Sequence, residues 1–323
     1  MTFIIFGVGA IGGAIAGKLA ASGQPVAGIA RGAQLEALNA NGLLLRTPEG
    51  DNRTRFPVVA DAAELTFAPD DVIFLTMKSQ DTKDALEALA AAGVTTQAVV
   101  CAQNGVDNER EALRFFPNVY AMMVVMPATF VRPGEVAAFG APKAGIFDIG
   151  RYPGGTDATT DGICAALERA GFAAFPTADA MQSKYGKLIM NLGNVLDAAA
   201  GEASYQSDLA EAARAEARTV LAAAGIALST AGGADDERRK QLMQMQPIPG
   251  AERVGSSSAQ SLARGTGSIE TDYLNGEIVL LGRLHSVPTP INDGLVRLGR
   301  HLIAQKSKPG SLGLDEVTRI VRS

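Results

Sequence analysis

Apolar residues follow two rhythms along this chain. In the first part, short unbroken apolar runs alternate with Ala- and Leu-rich stretches. Residues 3–6 (FIIF) lead into a small-residue helix that continues to about Ser22, and a second apolar run follows over 25–30. Residues 71–77 (DVIFLTM), 97–102 (QAVVCA) and 119–125 repeat the theme, with a helix over 81–92 between the first two. A helix over 161–170 and a short strand over 173–176 complete it. Apolar runs of this length between helices predict a parallel, doubly wound sheet. Residues 135–139 and 145–149 read as a pair that closes the sheet edge, and the Gly/Pro/Thr-rich stretch 152–160 as a loop. Beyond about 179 the rhythm becomes helical, with no convincing strand. Helices are expected over 180–200, 208–224, 256–264, 268–285 and 292–305, the fourth opened by Ser268 as N-cap with Glu270 in its first turn. Residues 235–249, charged and then Met- and Gln-rich before PIPG, read as a mobile loop over a cleft.

The first strand passes directly into Gly7-Val8-Gly9-Ala10-Ile11-Gly12, the G-x-G-x-x-G spacing. The first glycine allows the tight turn, the second lets backbone N–H groups approach a pyrophosphate, and the third lets the helix lie close on the sheet. Phosphates then meet the positive end of the helix dipole. A merely structural glycine turn is the alternative, which the flanking strands and helix disfavour. At the end of the second strand, where NAD sites usually hold Asp or Glu, stands Arg31, with no carboxylate before Glu36. A guanidinium there suits the 2′-phosphate of NADP; a solvated surface arginine is the plain alternative.

Composition narrows the picture. A chain of 323 residues exceeds the size at which single cores usually stop growing. Two domains are expected: 1–178, a Rossmann-type NADP-binding domain, and 179–323, an all-helical substrate and catalytic domain. The formal charge of −5 and the lack of a basic run argue against nucleic acid. No membrane span is expected, and the apolar N-terminus lacks the basic region of a signal peptide. Cys101 and Cys164 give neither metal spacing nor a disulfide framework, so no metal is expected and the cytoplasm is the compartment inferred. A homodimer is compatible with the sequence.

Chemistry concentrates on the helix over 180–200. Lys184, Lys187, Asn191 and Asn194 recur at helical spacing on one face of an otherwise apolar segment. Either the stripe is an ordinary solvent face or it adjoins something wet and functional. Gly186 and Gly193 cost the helix about 1 kcal/mol each relative to Ala, which implies close approach to its backbone. Gln103-Asn104-Gly105 and Lys78 follow apolar strands, on the edge where ligands bind in open α/β sheets, with an ordinary Asn-Gly turn and a solvated lysine as the plain readings. Glu270 is a candidate carboxylate or only a first-turn acid. His285 and His301 read as structural or exposed.

Together these pieces resemble the ketopantoate reductase family, nearly end to end. The likeness is carried by FGVGAIGG, by QNG (103–105), by KLIMN (187–191) and by the stretch from Ser258 through ETDYLNG (270–276). It implies a Rossmann domain followed by an all-helical domain like that of 6-phosphogluconate dehydrogenase. It also implies Lys187, not Lys184, as proton donor, Asn104 near nicotinamide and substrate, Asn191 and Ser258 on the substrate, and Glu270 beside cofactor and lysine. Arg31 and Lys78 match the family's NADP-binding cations. Two positions depart: Val195 and Gly255 stand where family enzymes acting on ketopantoate carry asparagines, and Asn194, beside the first, becomes a candidate substrate ligand. The activity expected is NADPH-dependent reduction of a small 2-oxo acid held between the domains. An NAD-linked 3-hydroxyacid or opine-type dehydrogenase of the same build and a non-catalytic NADP-binding sensor are the alternatives.

Overall fold

The computed structural model describes residues 1–230 and 236–323, apart from the side chain of Arg239. The chain forms two compact units: Met1–Lys184 with Thr230–Arg253, and Tyr185–Ser229 with Val254–Ser323. Residues 230–253 thus return to the first unit, which a single cut after 178 does not provide.

In the first unit an eight-stranded sheet runs, in spatial order, Ala173–Pro176, Ile146–Arg151, Val119–Val125, Ala98–Cys101, Val72–Leu75, Phe3–Phe6, Val26–Ile29 and Val58–Val59. Neighbours are parallel except Ile146–Arg151, which is antiparallel to Val119–Val125. Side chains alternate across each strand. Phe3 and Ile5 therefore join Val72 and Phe74 in one core, while Ile4 joins Ile73 and Leu75 in the other. Burial on both faces is why these strands read as unbroken apolar runs.

The apolar pattern predicts one sheet, and the fold adds a second. Its order is Gly50–Thr54, Leu43–Thr47, Glu135–Ala138, Ala128–Arg132. Glu135–Ala138 is thereby corrected: it pairs with Leu43–Thr47 and Ala128–Arg132, not with the strand after residue 145. This sheet packs on helix Ala10–Ala21, whose Gly13 and Gly17 bring it close: a Cβ at Gly13 would stand 3.0 Å from Val136, and one at Gly17 3.2 Å from Leu43 and Leu45. The expected loop over 152–160 also ends early. Asp157 caps helix Ala158–Arg169 by accepting from the Thr160 N–H at 2.9 Å.

The expected mobile loop over 235–249 is built structure, although its first residue, Asp235, lies outside the described residues. Glu237–Leu242 is helical, and Met243–Met245 forms a strand antiparallel to Gly140–Pro142, so the later part of the chain does contain a strand. Met243 packs with Met123, Val125 and Ile146, and Ile248 with Ala137 and Phe139. Arg238 donates to Asp148 at 2.7 Å, is flanked by Asp236, and stacks 4.8 Å over Phe175. Arg46 holds the Gly250 carbonyl at 3.0 Å. Charged clamps from distant parts of the chain supply what periodicity does not show.

Among the described residues the second unit has helices and turns but no strand: Asn194–Ala200, the 3-10 helix Glu202–Gln206, Asp208–Ala223, Ser257–Ala263, Asn275–Leu284, Pro290–Ala304 and Leu314–Arg322, with the end of Ala180–Asn191. The helix expected over 180–200 is broken at Leu192–Gly193, and the Leu192 carbonyl freed there accepts from Asn275 Nδ2 at 3.1 Å. The same amide nitrogen reaches Asn292 Oδ1 at 3.1 Å, and Asn292, fully buried, donates to the Ala213 carbonyl at 3.0 Å. Ser268 does not cap a helix running to 285. Residues 271–274 form turns, with the Glu270 carbonyl accepting from the Tyr273 and Leu274 N–H groups, and the helix begins at Asn275. The last helix lies beyond those the sequence pattern predicts; Val317 and Val321, one turn apart, bury its apolar side.

Candidate active site

Four parallel strands lie side by side in the order Val26–Ile29, Phe3–Phe6, Val72–Leu75, Ala98–Cys101. Their carboxyl ends carry, in turn, Arg31, the glycine loop, Lys78 and Gln103-Asn104. Parallel strands sit about 4.8 Å apart, so residues scattered over about a hundred positions are brought to one edge.

Each glycine of the loop has a distinct reason. Gly7 adopts φ +100°, and a Cβ there would lie 2.9 Å from the Met77 nitrogen. A Cβ at Gly12 would overlap the Gly7 carbonyl and the Thr76 hydroxyl. No atom of the described residues lies within 4 Å of the position a Cβ would take at Gly9. Space is therefore filled with protein at the first and third glycines and open at the second, where a phosphate needs it. Helix Ala10–Ala21 begins at Gly9 with no side-chain cap, leaving its first N–H groups to a ligand or water. Two residues missed in the sequence fix the loop. Thr76 Oγ1 lies 2.7 Å from the Gly7 carbonyl, and Gln34 donates to the Val8 carbonyl at 2.7 Å while accepting from the Gly134 N–H. Only the folded chain brings Thr76 and Gln34 to that turn.

Asn104 is held through its backbone. Its carbonyl accepts from Asn108 Nδ2 at 3.0 Å; Asn108 in turn accepts from Thr82 Oγ1 at 2.8 Å, and Thr82 accepts from Gln103 Nε2 at 2.7 Å. Gln103 Oε1 and both amide atoms of Gln80 are buried without hydrogen-bond partners among the described residues. Buried amides of this kind are costly unless a ligand or water completes them. Open space at Gly9, uncapped helix N–H groups and incomplete amides on one edge fit a dinucleotide, with Arg31 and Lys78 as the cations present.

Arg31 is largely exposed and makes an ion pair at 3.1 Å with Asp81. Lys184 is buried and paired with Glu109, itself fully buried in helix Asn108–Ala112, and its ammonium also reaches the Cys101 carbonyl at 3.4 Å. Burial pushes the Glu109 carboxyl up, against the pull of the Lys184 ammonium. Lys184 is therefore not part of a solvent-facing stripe. Lys187, one turn later, is half-buried, as is Asn191.

In the second unit, Gly186 admits the Ser229 carbonyl, and Gly193 admits the Tyr205 ring, 2.8 Å from where a Cβ would be. Both glycines thus have the close neighbours their presence implied. The Tyr205 hydroxyl donates to Asn194 Oδ1, and Asn194 Nδ2 donates to Ser257 Oγ at 3.3 Å. Asn194 belongs to the helix after the break, so the stripe read from the sequence is divided between two helices. Val195 is buried. Gly255, at φ +41°, faces Asp197: a Cβ there would lie 2.6 Å from Asp197 Oδ2, which accepts from the Ser256 N–H at 2.6 Å. Ser256 caps the helix that carries Ser258, a buried residue, and Glu270 is also buried. Tyr205 and Asp197 had no signal in the sequence, since each is defined by a neighbour across a turn or a helix pair.

Comparison with known proteins agrees with this build. Residues 3–154 match the family model described as ketopantoate reductase PanE/ApbA, and residues 179–302 the model of its C-terminal part. A 2-dehydropantoate 2-reductase of Mesorhizobium japonicum is 31% identical over 95% of this chain and 99% of its own length. One from Pyrococcus horikoshii is 28% identical over 90% of this chain and 94% of its own. The crystal structure of a PanE/ApbA family ketopantoate reductase from Ralstonia eutropha JMP134 superposes with a TM-score of 0.79 at 26% identity, covering 95% of this chain and 99% of that one. With a glycine loop and a helical unit both matched along nearly the whole chain, this protein belongs to the ketopantoate reductase family of oxidoreductases.

Proposed function

We propose that this protein reduces a small 2-oxo acid to the 2-hydroxy acid with NADPH. The carrying observation is the line of Arg31, the glycine loop, Lys78 and Asn104 along one edge of four parallel strands, in a chain of this family. The open position at Gly9 and the uncapped start of helix Ala10–Ala21 would receive the pyrophosphate, and Arg31 and Lys78 the 2′-phosphate. A nicotinamide bound there would supply the hydride that reduces the ketone carbon.

The chain's own residues do the rest. Lys187 donates a proton to the developing alkoxide, its positive charge stabilising the oxygen as it forms. Glu270 keeps the lysine and the cofactor in register, and Asn104 and Asn191 orient the ketone. Ser258 binds the carboxylate end. Asn194 has given its oxygen to Tyr205 and one N–H to Ser257, which leaves its second N–H for substrate.

A turnover screen of NADPH oxidation against a panel of 2-oxo acids tests the reading. Substrate-dependent oxidation by the wild type, lowered roughly 10²–10⁴-fold in Lys187→Ala, is expected. Absence of turnover with every 2-oxo acid, despite measurable NADPH binding, would leave only a nucleotide-binding role.

A further inference from the structure

The second strand ends without a carboxylate, yet the fold brings one to that place from another loop. Asp81, fifty residues beyond Arg31, closes the turn Ser79–Asp81 that follows strand Val72–Leu75. Strands Val26–Ile29 and Val72–Leu75 flank Phe3–Phe6, so the loops after them flank the glycine loop. Arg31 Nη2 and Asp81 Oδ1 meet there at 3.1 Å. Asp81 also occupies the N-cap position of helix Thr82–Ala91, where a carboxylate ordinarily accepts a backbone N–H. It makes no such bond; its carboxylate is turned to Arg31 instead.

We infer that Asp81 is a coenzyme-selecting residue, acting with Arg31 to make the enzyme accept NADH alongside NADPH. The inference rests on the reading of the Arg31 loop as the ribose end of the coenzyme site. A carboxylate at that end accepts the ribose 2′-hydroxyl, whereas a guanidinium donates to a 2′-phosphate. Here both stand together. Asp81 occupies one of the guanidinium donors open to a 2′-phosphate, and its own charge repels that phosphate. The same oxygens are acceptors for the 2′-hydroxyl of NADH. Arg31 is 84% and Asp81 41% exposed, so water and salt screen the pair and each effect is a few-fold.

Binding of NADPH and NADH to the whole protein, followed by nicotinamide fluorescence without substrate, tests this directly. The wild type should discriminate between them by less than about tenfold. Asp81→Asn and Asp81→Ala should each tighten NADPH about three- to fivefold and weaken NADH by a similar factor, the NADPH gain shrinking at high salt. Arg31→Ala should weaken NADPH by about tenfold or more and leave NADH nearly unchanged. If Arg31→Ala discriminates but the Asp81 variants move both coenzymes equally or not at all, Asp81 is only a surface ion pair and the inference falls. If Arg31→Ala moves neither coenzyme, the assignment of the ribose end itself fails, and the inference with it.

Discussion

At the scale of single residues, two lysines one turn apart have different employments. Lys184 compensates Glu109 in a buried ion pair, while Lys187 stands half-buried. Nothing in the helical spacing separates them, because the discriminating residue lies 75 positions earlier in the chain. Removing one member of a buried pair leaves an uncompensated charge, so Lys184→Ala should cost about 3–5 kcal/mol in denaturant unfolding. Replacing both partners by Met should recover most of that. Lys187→Ala should instead lower turnover by roughly 10²–10⁴-fold, with the melting temperature and NADPH affinity little changed. A variant pair in which Lys187→Ala loses stability and Lys184→Ala loses only turnover would reverse the assignment. Turnover alone does not separate the two, since a partly unfolded Lys184→Ala protein is also inactive. The cysteines have no such role: burial pushes the Cys164 thiol up to about 12 and the Cys101 thiol higher than its ordinary value, which keeps both protonated at neutral pH.

At the scale of elements, the glycine loop separates folding from binding. Gly9→Ala meets open space, so unfolding should be nearly unchanged while coenzyme affinity falls by at least about tenfold, because the methyl enters the volume a phosphate needs. Gly12→Ala overlaps the Gly7 carbonyl and Thr76, so it should lower both stability and binding. Equal melting losses for the two variants would contradict this division. The segment 236–251 makes a second test. Its attachment rests on Arg238 against the buried Asp148 and on the short ladder to Gly140–Pro142. Arg238→Met should cost about 1–3 kcal/mol and open residues 236–250 to limited proteolysis. An unchanged cleavage pattern would mean that the ladder and the packing of Met243 hold the segment without the clamp.

At the scale of the whole molecule, substrate preference is the property in question. With Val195 buried and Gly255 backed by Asp197, neither position offers an amide to a distal hydroxyl. A site that does not supply such a bond has no unpaired polar group to penalise analogues lacking the hydroxyl. Ketopantoate should therefore be a modest substrate, with 2-oxo acids of apolar tail turned over as well or better in side-by-side kcat/KM. A ketopantoate advantage above about 10³-fold would require a supplied hydrogen bond and would point to the remaining amide N–H of Asn194. The sequence by itself determined the doubly wound core and the nucleotide loop, because unbroken apolar runs and glycine spacing are local consequences of strand burial and backbone conformation. It determined most helices of the second unit for the same reason. Tertiary structure alone decided the second sheet, whose strand Gly50–Thr54 is exposed at four of five positions and carries little apolar signal. It alone decided the break at Leu192–Gly193, where the freed carbonyl depends on Asn275, and the pairings Lys184–Glu109 and Arg31–Asp81. Those contacts join residues 50 to 83 positions apart, and no local preference encodes which distant partner closes on a given charge or carbonyl.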